Sequence, residues 1–382
     1  MSEGTGASPL DAGVRGAVHR RIVRLWHAAD GVSSLPAPAR GALQLFSKVY
    51  EAGLRRNQQR QIESRLRLPA TVVSIGNLVA GGTGKTPLVL WIAEHLQRLG
   101  RSPAILSRGY GRSTKETSEV PATGDLSRQA SLFGDEPVLM ARKASPVPVW
   151  VGRDRRRSGR ASILAGGADI LLLDDGFQHL ALVRDLDLVL LDARNPFGNG
   201  SLLPLGPLRE PVAHLERADA IILTRADDSG TAEKNRAMLE RMFPGKPLFC
   251  CRHRLSGFRA GLGGALIPAS SLRGRRALAF AGIASPDSFF ESLRETGVNL
   301  IASISFPDHH PYAPGDMLRI AAASADLQSE LLITTQKDFV RLPDVLQQAV
   351  LTAELRIDFG RHHEAFCSFL DAKCSLHGGP PF

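Results

Sequence analysis

The sequence predicts an α/β protein of two domains. The chain has 382 residues, which exceeds one ordinary compact domain and suits two of roughly 100 to 200 residues each. Hydrophobic residues make up 43% and charged residues 22%, which is enough apolar material for packed cores. From Thr71 onward, short apolar runs alternate with helical patterns, as they do when helices connect the strands of a parallel sheet.

The chain before this alternation is basic and amphipathic. We predict residues 1–35 to be a loose or helical extension, in which the helical pattern at 18–26 has no assigned role. Residues 36–70 contain a second pattern, with Leu43, Phe46 and Tyr50 at helical spacing. Such a helix either packs on its own domain or lies in the interface of an anionic bilayer.

Two α/β domains follow the amphipathic segment. The first is predicted over residues 71–226 and the second over 227–382, with the boundary near the polar, helix-prone stretch 226–246. The predicted strands are 71–75, 104–106, 147–151, 170–173, 186–191 and 220–224 in the first domain, then 278–281, 300–306 and 331–335 in the second.

A glycine-rich loop between the first strand and the following helix predicts nucleotide binding. Backbone N–H groups of such a loop surround phosphate oxygens, and the helix N-terminus adds positive potential. Lys85 would reach the terminal phosphates, and the Thr86 hydroxyl suits magnesium. The loop is a variant, because Val79 stands where the strict motif has its first glycine. The predicted nucleotide-binding residues are Gly81, Gly82, Thr83, Gly84, Lys85 and Thr86.

Carboxylates and histidines follow two of the apolar runs, and two further carboxylates precede a helical pattern. Asp174 and Asp175 end the strand 170–173, at the sheet edge that faces the phosphate loop, so Asp174 is a metal candidate and Asp175 a second one. Asp135 and Glu136 precede a helical pattern, where they are either a helix cap or part of a site. His309 and His310 follow another strand, either in a solvated turn or as a base.

The charge balance predicts an anionic partner. Lys and Arg number 47 against 38 Asp and Glu, a net of 47 − 38 = +9, which suits nucleic acid, a phosphorylated metabolite or an acidic lipid surface. Arg108 and Arg209 lie in Gly/Pro-containing loops where arginine can recognise phosphate. The four cysteines lack CxxC spacing and predict neither zinc nor a disulfide framework. No apolar run is long enough to span a bilayer, and no secretory signal is evident.

Taken in chain order, these motifs resemble those of the tetraacyldisaccharide 4′-kinase family over roughly residues 40–345. The resemblance implies a P-loop NTPase-like parallel-sheet domain with a second, smaller α/β domain. It also implies a peripheral (monotopic) protein on the cytoplasmic face of the inner membrane. Such a kinase transfers the γ-phosphate of ATP, with Mg²⁺, to the 4′-hydroxyl of tetraacyldisaccharide 1-phosphate, forming lipid IVA in lipid A biosynthesis. The motifs lie at 76–87, 106–112, 134–137, 174–179, 203–211, 306–310 and 334–338.

The same resemblance implies roles for individual residues. Asp135 and His309, with His310 as the alternative histidine, would deprotonate the sugar hydroxyl, while Lys85 would serve the phosphates in catalysis and Arg209 would complete the catalytic site. Thr86, Asp174 and Glu136 would hold magnesium. The expected partners are the lipid A disaccharide precursor and an anionic inner-membrane surface, without nucleic acid. The residues expected to contact substrate are Asn77, Arg108, His179 and Glu210.

Two other functions fit parts of the sequence. A P-loop GTPase or metallochaperone would use the loop as a switch, and residues 335–338 (Thr-Gln-Lys-Asp) weakly resemble a guanine-reading motif. A nucleic-acid-binding ATPase is suggested by the pI near 9.8, although an aromatic content of 6% without aromatic-basic interleaving argues against it.

Overall fold

The computed structural model describes residue 26 and residues 32–226 and 230–375. The predicted extension 1–35, with its helical pattern at 18–26, therefore lies almost wholly outside the described residues. Within the described residues, no helix has both the length and the apolar character needed to cross a bilayer.

The first sheet contains the strand β1 that leads into the glycine-rich loop. Among the residues described it has eight strands in the order β3-β4-β2-β5-β1-β6-β7-β8, all parallel except β3 against β4. Its central strands are buried on both faces, which explains their uninterrupted apolar sequences. The strands are β1 Thr71–Asn77, β2 Pro103–Ser107, β3 Ser118–Glu119, β4 Val149–Val151, β5 Ile170–Asp174, β6 Leu186–Asp192, β7 Ala220–Thr224 and β8 Leu248–Cys250.

Helices cover the first sheet, and their ends follow from local chemistry. Gly84 has a φ of 80° and lets the chain turn from the phosphate loop into the second helix. The fourth helix has Asp135 and Glu136 in its first turn and Arg142 and Lys143 in its last, as the helix dipole favours. These helices are α1 Ala37–Glu63, α2 Lys85–Arg98, α3 Leu126–Phe133, α4 Asp135–Ala144, α5 Arg155–Gly166 and α6 Gly230–Met242.

The second sheet has six described strands in the order β10-β9-β14-β13-β11-β12. Strands β12, β11, β13 and β14 are parallel to one another. Strand β9 then pairs antiparallel with β14, and β10 pairs antiparallel with β9. The strands are β9 Arg252–Ala260, β10 Leu266–Pro268, β11 Arg276–Ala281, β12 Asn299–Ser305, β13 Leu331–Thr335 and β14 Leu351–Asp358, and the helices are α7 Pro286–Glu295, α8 Pro314–Asp326, α9 Gln336–Phe339, α10 Asp344–Gln347 and α11 His363–Ser375.

We call the first sheet with the helices packed on it the first lobe, and the second sheet with its helices the second lobe. The chain leaves the first sheet after Cys250 and enters the second at Arg252. It then returns, because Phe366 and Leu370 of α11 pack into the same core as Ile92 and Leu96 of α2. The predicted parallel-sheet domain, the second α/β unit and the preceding helix are confirmed. The boundary predicted near 226–246 stays a prediction, whereas the change of sheet lies at residue 251.

A large cavity lies between the two lobes, at the carboxyl ends of β1 and β5. Its volume is about 3360 Å³, and it is lined by residues of both lobes. The carboxyl edge of a parallel sheet is where ligands bind in α/β proteins. The cavity is lined by the phosphate loop on one side and by the segment around His309 on the other.

Candidate active site

The side chain of Asn77 holds the phosphate loop in shape through hydrogen bonds. This side chain is 0% exposed, and its Nδ2 donates hydrogen bonds to the carbonyls of Val79 at 2.6 Å and Gly81 at 3.3 Å. Gly81 has a φ of 125°, which a residue with a Cβ rarely adopts. The side chain of Asn77 is thus enclosed and braces the loop, and a contact of Asn77 with substrate stays a prediction.

Two residues that the sequence did not single out support the same loop. Arg225 Nη2 donates to the Gly82 carbonyl at 3.1 Å, and Arg225 Nη1 pairs with Asp192 at 2.6 Å. The His253 ring covers Gly84 so closely that a Cβ at position 84 would overlap it. Arg225 directly follows the strand β7, and this position after a predicted strand could have identified it. His253 comes from the second sheet, and no sequence pattern marks it.

Asp175 brings the predicted phosphate-binding cations together. Its carboxylate lies 3.3 Å from Lys85 Nζ and 2.8 Å from Arg209 Nη1. Burial by itself would raise the pKa of Asp175, but Lys85 and Arg209 hold that pKa well below its usual range. The neighbour that the sequence treated as a weaker candidate thus orients the two cations at the mouth of the loop.

Asp174 is the buried carboxylate of the pair. It is 4% exposed and accepts a hydrogen bond from Ser107 Oγ at 3.0 Å. Burial, Glu136 and Asp175 together raise the pKa of Asp174 to about 7. A divalent cation beside these carboxylates would offset their mutual repulsion.

The predicted magnesium ligands offer the donor types that this ion prefers. Thr86, Asp174 and Glu136 supply hard oxygen atoms, and all three line the cavity. Within the part of the chain that the structure describes, no cluster of three or more His, Cys, Asp or Glu side chains could hold a metal by itself. The residues therefore fit an ion that takes one or two carboxylates and completes its shell with phosphate oxygens and water.

Asp135 and His309 form a hydrogen-bonded pair across the two lobes. Asp135 Oδ2 lies 2.9 Å from His309 Nδ1, and Arg341 Nε lies 3.5 Å from the same oxygen. Asp135 is 6% exposed. Although burial raises the pKa of Asp135, the His309 hydrogen bond and the charges of Lys337 and Arg341 lower it below its usual range. Its other oxygen accepts from the Glu136 N–H at 2.9 Å. The N-cap of the helix is Gly134 and Asp135 lies in its first turn, so Asp135 is not the cap residue.

The geometry distinguishes the two adjacent histidines. His309 has a φ of 58°, and this turn aims its ring at Asp135. His310 instead lies 2.8 Å from Asp316 through Nε2, and its ring stacks on Phe306 with centroids 4.7 Å apart. His310 therefore belongs to the second lobe's own packing.

Lys337 lines the second-lobe side of the cavity, among the groups around His309. Its Nζ is 3.1 Å from Glu136 Oε1, 3.2 Å from His309 Nε2 and 3.4 Å from Asp308 Oδ1. Burial lowers the pKa of Lys337, but Glu136, Asp308 and Asp135 more than reverse this and raise it. In the sequence this lysine lies in the motif 334–338 and in the guanine-reading alternative, but it was given no role at the site.

Asp338 argues against that alternative. It is 0% exposed and accepts hydrogen bonds from Tyr312 Oη at 2.8 Å and the Gly282 N–H at 2.9 Å. Its carboxylate also accepts from Thr335 Oγ1 at 2.6 Å. A carboxylate enclosed in this way builds a turn in the second lobe and is not available to read a base.

The remaining predicted substrate contacts differ in exposure. Arg108 is exposed and His179 half-buried, and both line the cavity. Burial, followed by the charge of Arg155, lowers the pKa of His179 to about 4. Glu210 is 0% exposed and lies 2.7 Å from both Arg217 Nη1 and His214 Nδ1. The carboxylate of Glu210 is thus enclosed by these partners, and a contact of Glu210 with substrate stays a prediction.

Comparisons with known proteins agree with one another. The family model described as Tetraacyldisaccharide-1-P 4′-kinase matches residues 39–375. A Tetraacyldisaccharide 4′-kinase of Syntrophobacter fumaroxidans is 50% identical over 351 residues, which are 92% of each chain. One of Syntrophus aciditrophicus is 38% identical over 356 residues, covering 89% of this chain and 95% of that one. The crystal structure of LpxK from Aquifex aeolicus in complex with ATP has a TM-score of 0.68 at 28% identity, covering 88% of this chain and 99% of that chain.

Proposed function

Because the chain belongs to the Tetraacyldisaccharide-1-P 4′-kinase family, we propose that phosphoryl transfer takes place in the cavity between its lobes. The chain is an ATP-dependent kinase that phosphorylates the 4′-hydroxyl of tetraacyldisaccharide 1-phosphate in lipid A biosynthesis. The comparisons favour this function over the GTPase or metallochaperone alternative and give no indication of nucleic-acid binding.

One observation carries the proposed site: Lys85 of the first lobe and His309 of the second lobe line the same cavity, and Asp135 of the first lobe lies 2.9 Å from His309. A phosphate donor held at the loop would therefore face a sugar hydroxyl held at the pair. Phosphoryl transfer depends mainly on positioning and on neutralising charge.

On the donor side, the loop amides and Lys85 would bind the phosphates of ATP. Asp175 would keep Lys85 and Arg209 aimed at the terminal phosphate, because its carboxylate contacts both cations. Thr86, Asp174 and Glu136 would hold magnesium, which neutralises phosphate charge when it is bound.

On the acceptor side, Asp135 would hold His309 in one tautomer. The lowered pKa of Asp135 keeps its carboxylate ionised, so His309 Nδ1 carries the shared proton and Nε2 retains its lone pair. Nε2 would then take the proton of the 4′-hydroxyl. To reach Nε2, the hydroxyl has to displace Lys337 Nζ, which lies 3.2 Å from this atom. A base in hydrogen-bond reach contributes roughly 10²- to 10⁴-fold in rate. Arg108 and His179 would contact the substrate from the cavity wall.

The helix α1 would dock the enzyme on the membrane that holds its acylated substrate. Leu45, Phe46 and Val49 are 63%, 60% and 62% exposed, and the chain carries a net charge of +9. Exposed apolar side chains on a basic protein favour an anionic lipid surface. We accordingly assign it to the cytoplasmic face of the inner membrane as a peripheral (monotopic) protein.

The test is transfer of label from γ-labelled ATP to purified tetraacyldisaccharide 1-phosphate in detergent micelles. The parent protein should label the disaccharide in a magnesium-dependent way, with GTP a poor donor. Asp135→Ala should bind ATP as the parent does, yet lose about 10²-fold or more in kcat, because His309 loses the carboxylate that holds it in the tautomer able to act as the base. An unchanged kcat in Asp135→Ala would remove the pair from the mechanism, and an unlabelled disaccharide with the parent would contradict the reaction itself.

A further inference from the structure

A buried carboxylate in the wall of the cavity, with no contact to Asp135 or His309, joins the two lobes. Glu354 of β14 is 5% exposed. Its Oε1 pairs with Lys143 Nζ, while its Oε2 accepts from Arg259 Nε at 3.0 Å and from Gln336 Nε2 at 2.6 Å. We refer to Lys143, Arg259, Gln336 and Glu354 as the strut cluster.

The strut cluster crosses the interface between the lobes. Lys143 belongs to α4 of the first lobe, whereas Arg259, Gln336 and Glu354 belong to the second. The pairing of β14 with β9 shifts register between Glu354 and Leu355, and irregularities of this kind redirect a side chain from the sheet face. Glu354 thereby faces α4 and not only its own sheet.

Both ends of α4 contact the second lobe. Lys143, in its last turn, meets Glu354. Asp135 and Glu136, in its first turn, meet His309 and Lys337. Gln336, which Glu354 also holds, directly precedes Lys337 in the chain. A helix of ten residues is stiff on this scale, so fixing one of its ends restricts the other.

We propose that Glu354 is a positioning residue for phosphoryl transfer, which holds α4 against the second lobe and so sets the approach of Asp135 to His309. This inference rests on the proposed function of that pair. A misplacement of about 1 Å in a reacting group can cost roughly 10²-fold in rate. A buried carboxylate that keeps three hydrogen-bond donors in place is well suited to prevent such a misplacement.

The experiment separates this role from a contribution to folding. Glu354→Gln keeps the shape of the side chain but removes the charge that holds Lys143. Lys143→Met removes the first-lobe partner and leaves the second-lobe contacts of Glu354 intact. Each variant should fold cooperatively and lower kcat at least tenfold, with the KM for ATP changed less than twofold, because the phosphate loop is untouched. The double variant should be no slower than the slower single variant, since both remove one interaction.

Glu330→Gln is the matched control. Glu330 also pairs with an arginine, Arg275, but on the outer surface of the second lobe, so its variant should keep the parent kcat. A kcat within twofold of the parent in Glu354→Gln or Lys143→Met overturns the inference, as does a loss confined to KM. Failure of both variants to unfold cooperatively would assign the strut cluster to folding alone, which also overturns it. Activity of the parent, measured in the same assay, tests the proposed function separately.

Discussion

Two half-buried histidines that line the cavity, His179 of the first lobe and His253 of the second, lie in surroundings that oppose their protonation. Burial is the main cause, and nearby arginines add to it, so the pKa of each is lowered to about 4. Their Nε2 atoms have no hydrogen-bond partner among the described residues. Both rings are therefore neutral at physiological pH and suited to contact an uncharged part of a ligand or to fill space beside the phosphate loop.

These lowered pKa values predict a loss of stability in mild acid. Between pH 6.5, the usual value for histidine, and about pH 4, each of these two histidines binds more protons in the unfolded chain than in the folded one, so its contribution to the free energy of unfolding falls as the pH falls. The raised pKa of Asp174 acts in the opposite direction, and the comparison of the parent with a histidine variant isolates the histidine contribution. At pH 5 each histidine should cost about 2 kcal/mol relative to pH 7. Urea unfolding at the two pH values measures this loss. In His253→Gln the loss should be smaller than in the parent by about 2 kcal/mol. Equal losses in the two proteins would show that His253 is protonated at no cost.

At the scale of elements, α1 has one face committed to the first lobe and one face open. Ser47 Oγ and Tyr50 Oη donate to the carbonyls of Leu202 and Arg209 at 3.1 and 2.9 Å. Gln58 Nε2 donates to Glu210 at 2.8 Å. The predicted apolar face of Leu43, Phe46 and Tyr50 is therefore wrong in part: Leu43 and Tyr50 are half-buried against the lobe, and Phe46 shares the open face with Leu45 and Val49.

This open face gives the membrane proposal a sharp test. Replacing Leu45, Phe46 and Val49 together by Gln should lower sedimentation with anionic vesicles about tenfold or more, because the inserted apolar area is lost. The hydrogen bonds of α1 to the first lobe are left in place, so the thermal midpoint should change little. Leu164→Gln and Leu318→Gln, at leucines that are 87% and 72% exposed on other helices, are the controls. Vesicle binding that survives the triple variant would contradict docking through α1.

The strands that were predicted from the sequence and those that were missed are stabilised by different kinds of interaction. The strand at Ile170–Asp174 is buried along its whole length, and its apolar run identifies it without further context. The strand Arg252–Ala260 contains four arginine and histidine residues and is only half-buried, so no apolar or alternating pattern marks it. Its order comes from pairing with β14, almost a hundred residues later.

At the scale of the whole molecule, the site depends on contacts that no local pattern contains. Asp135 and His309 are separated by 174 positions, and only the likeness to a known family joined them before the structure did. The phosphate loop, by contrast, follows from contiguous residues. Lys337, Arg225, His253 and Glu354 were missed because each acquires its contact through the packing of one lobe on the other or of one strand end on the loop.

The last helix extends this dependence to stability. Phe366 of α11 is 0% exposed, stacks on Phe359 with centroids 4.3 Å apart, and packs at 5.1 Å against Phe249 of β8. The chain thus completes the core of the first lobe after it has built the second. The first lobe should consequently be unable to reach full stability without the end of the sequence.

Phe366→Ala tests this order of assembly. It should lower the free energy of unfolding by about 3–5 kcal/mol, and native-state hydrogen exchange should quicken first in α2 and β8, which share its core. Phe290→Ala, at a residue of α7 that is 3% exposed, makes the same chemical change in the core of the second lobe. Its faster exchange should appear in α7 and β11 instead. If Phe366→Ala leaves α2 and β8 as protected as in the parent, α11 is not part of the first lobe's cooperative unit, and the return of the chain matters only locally.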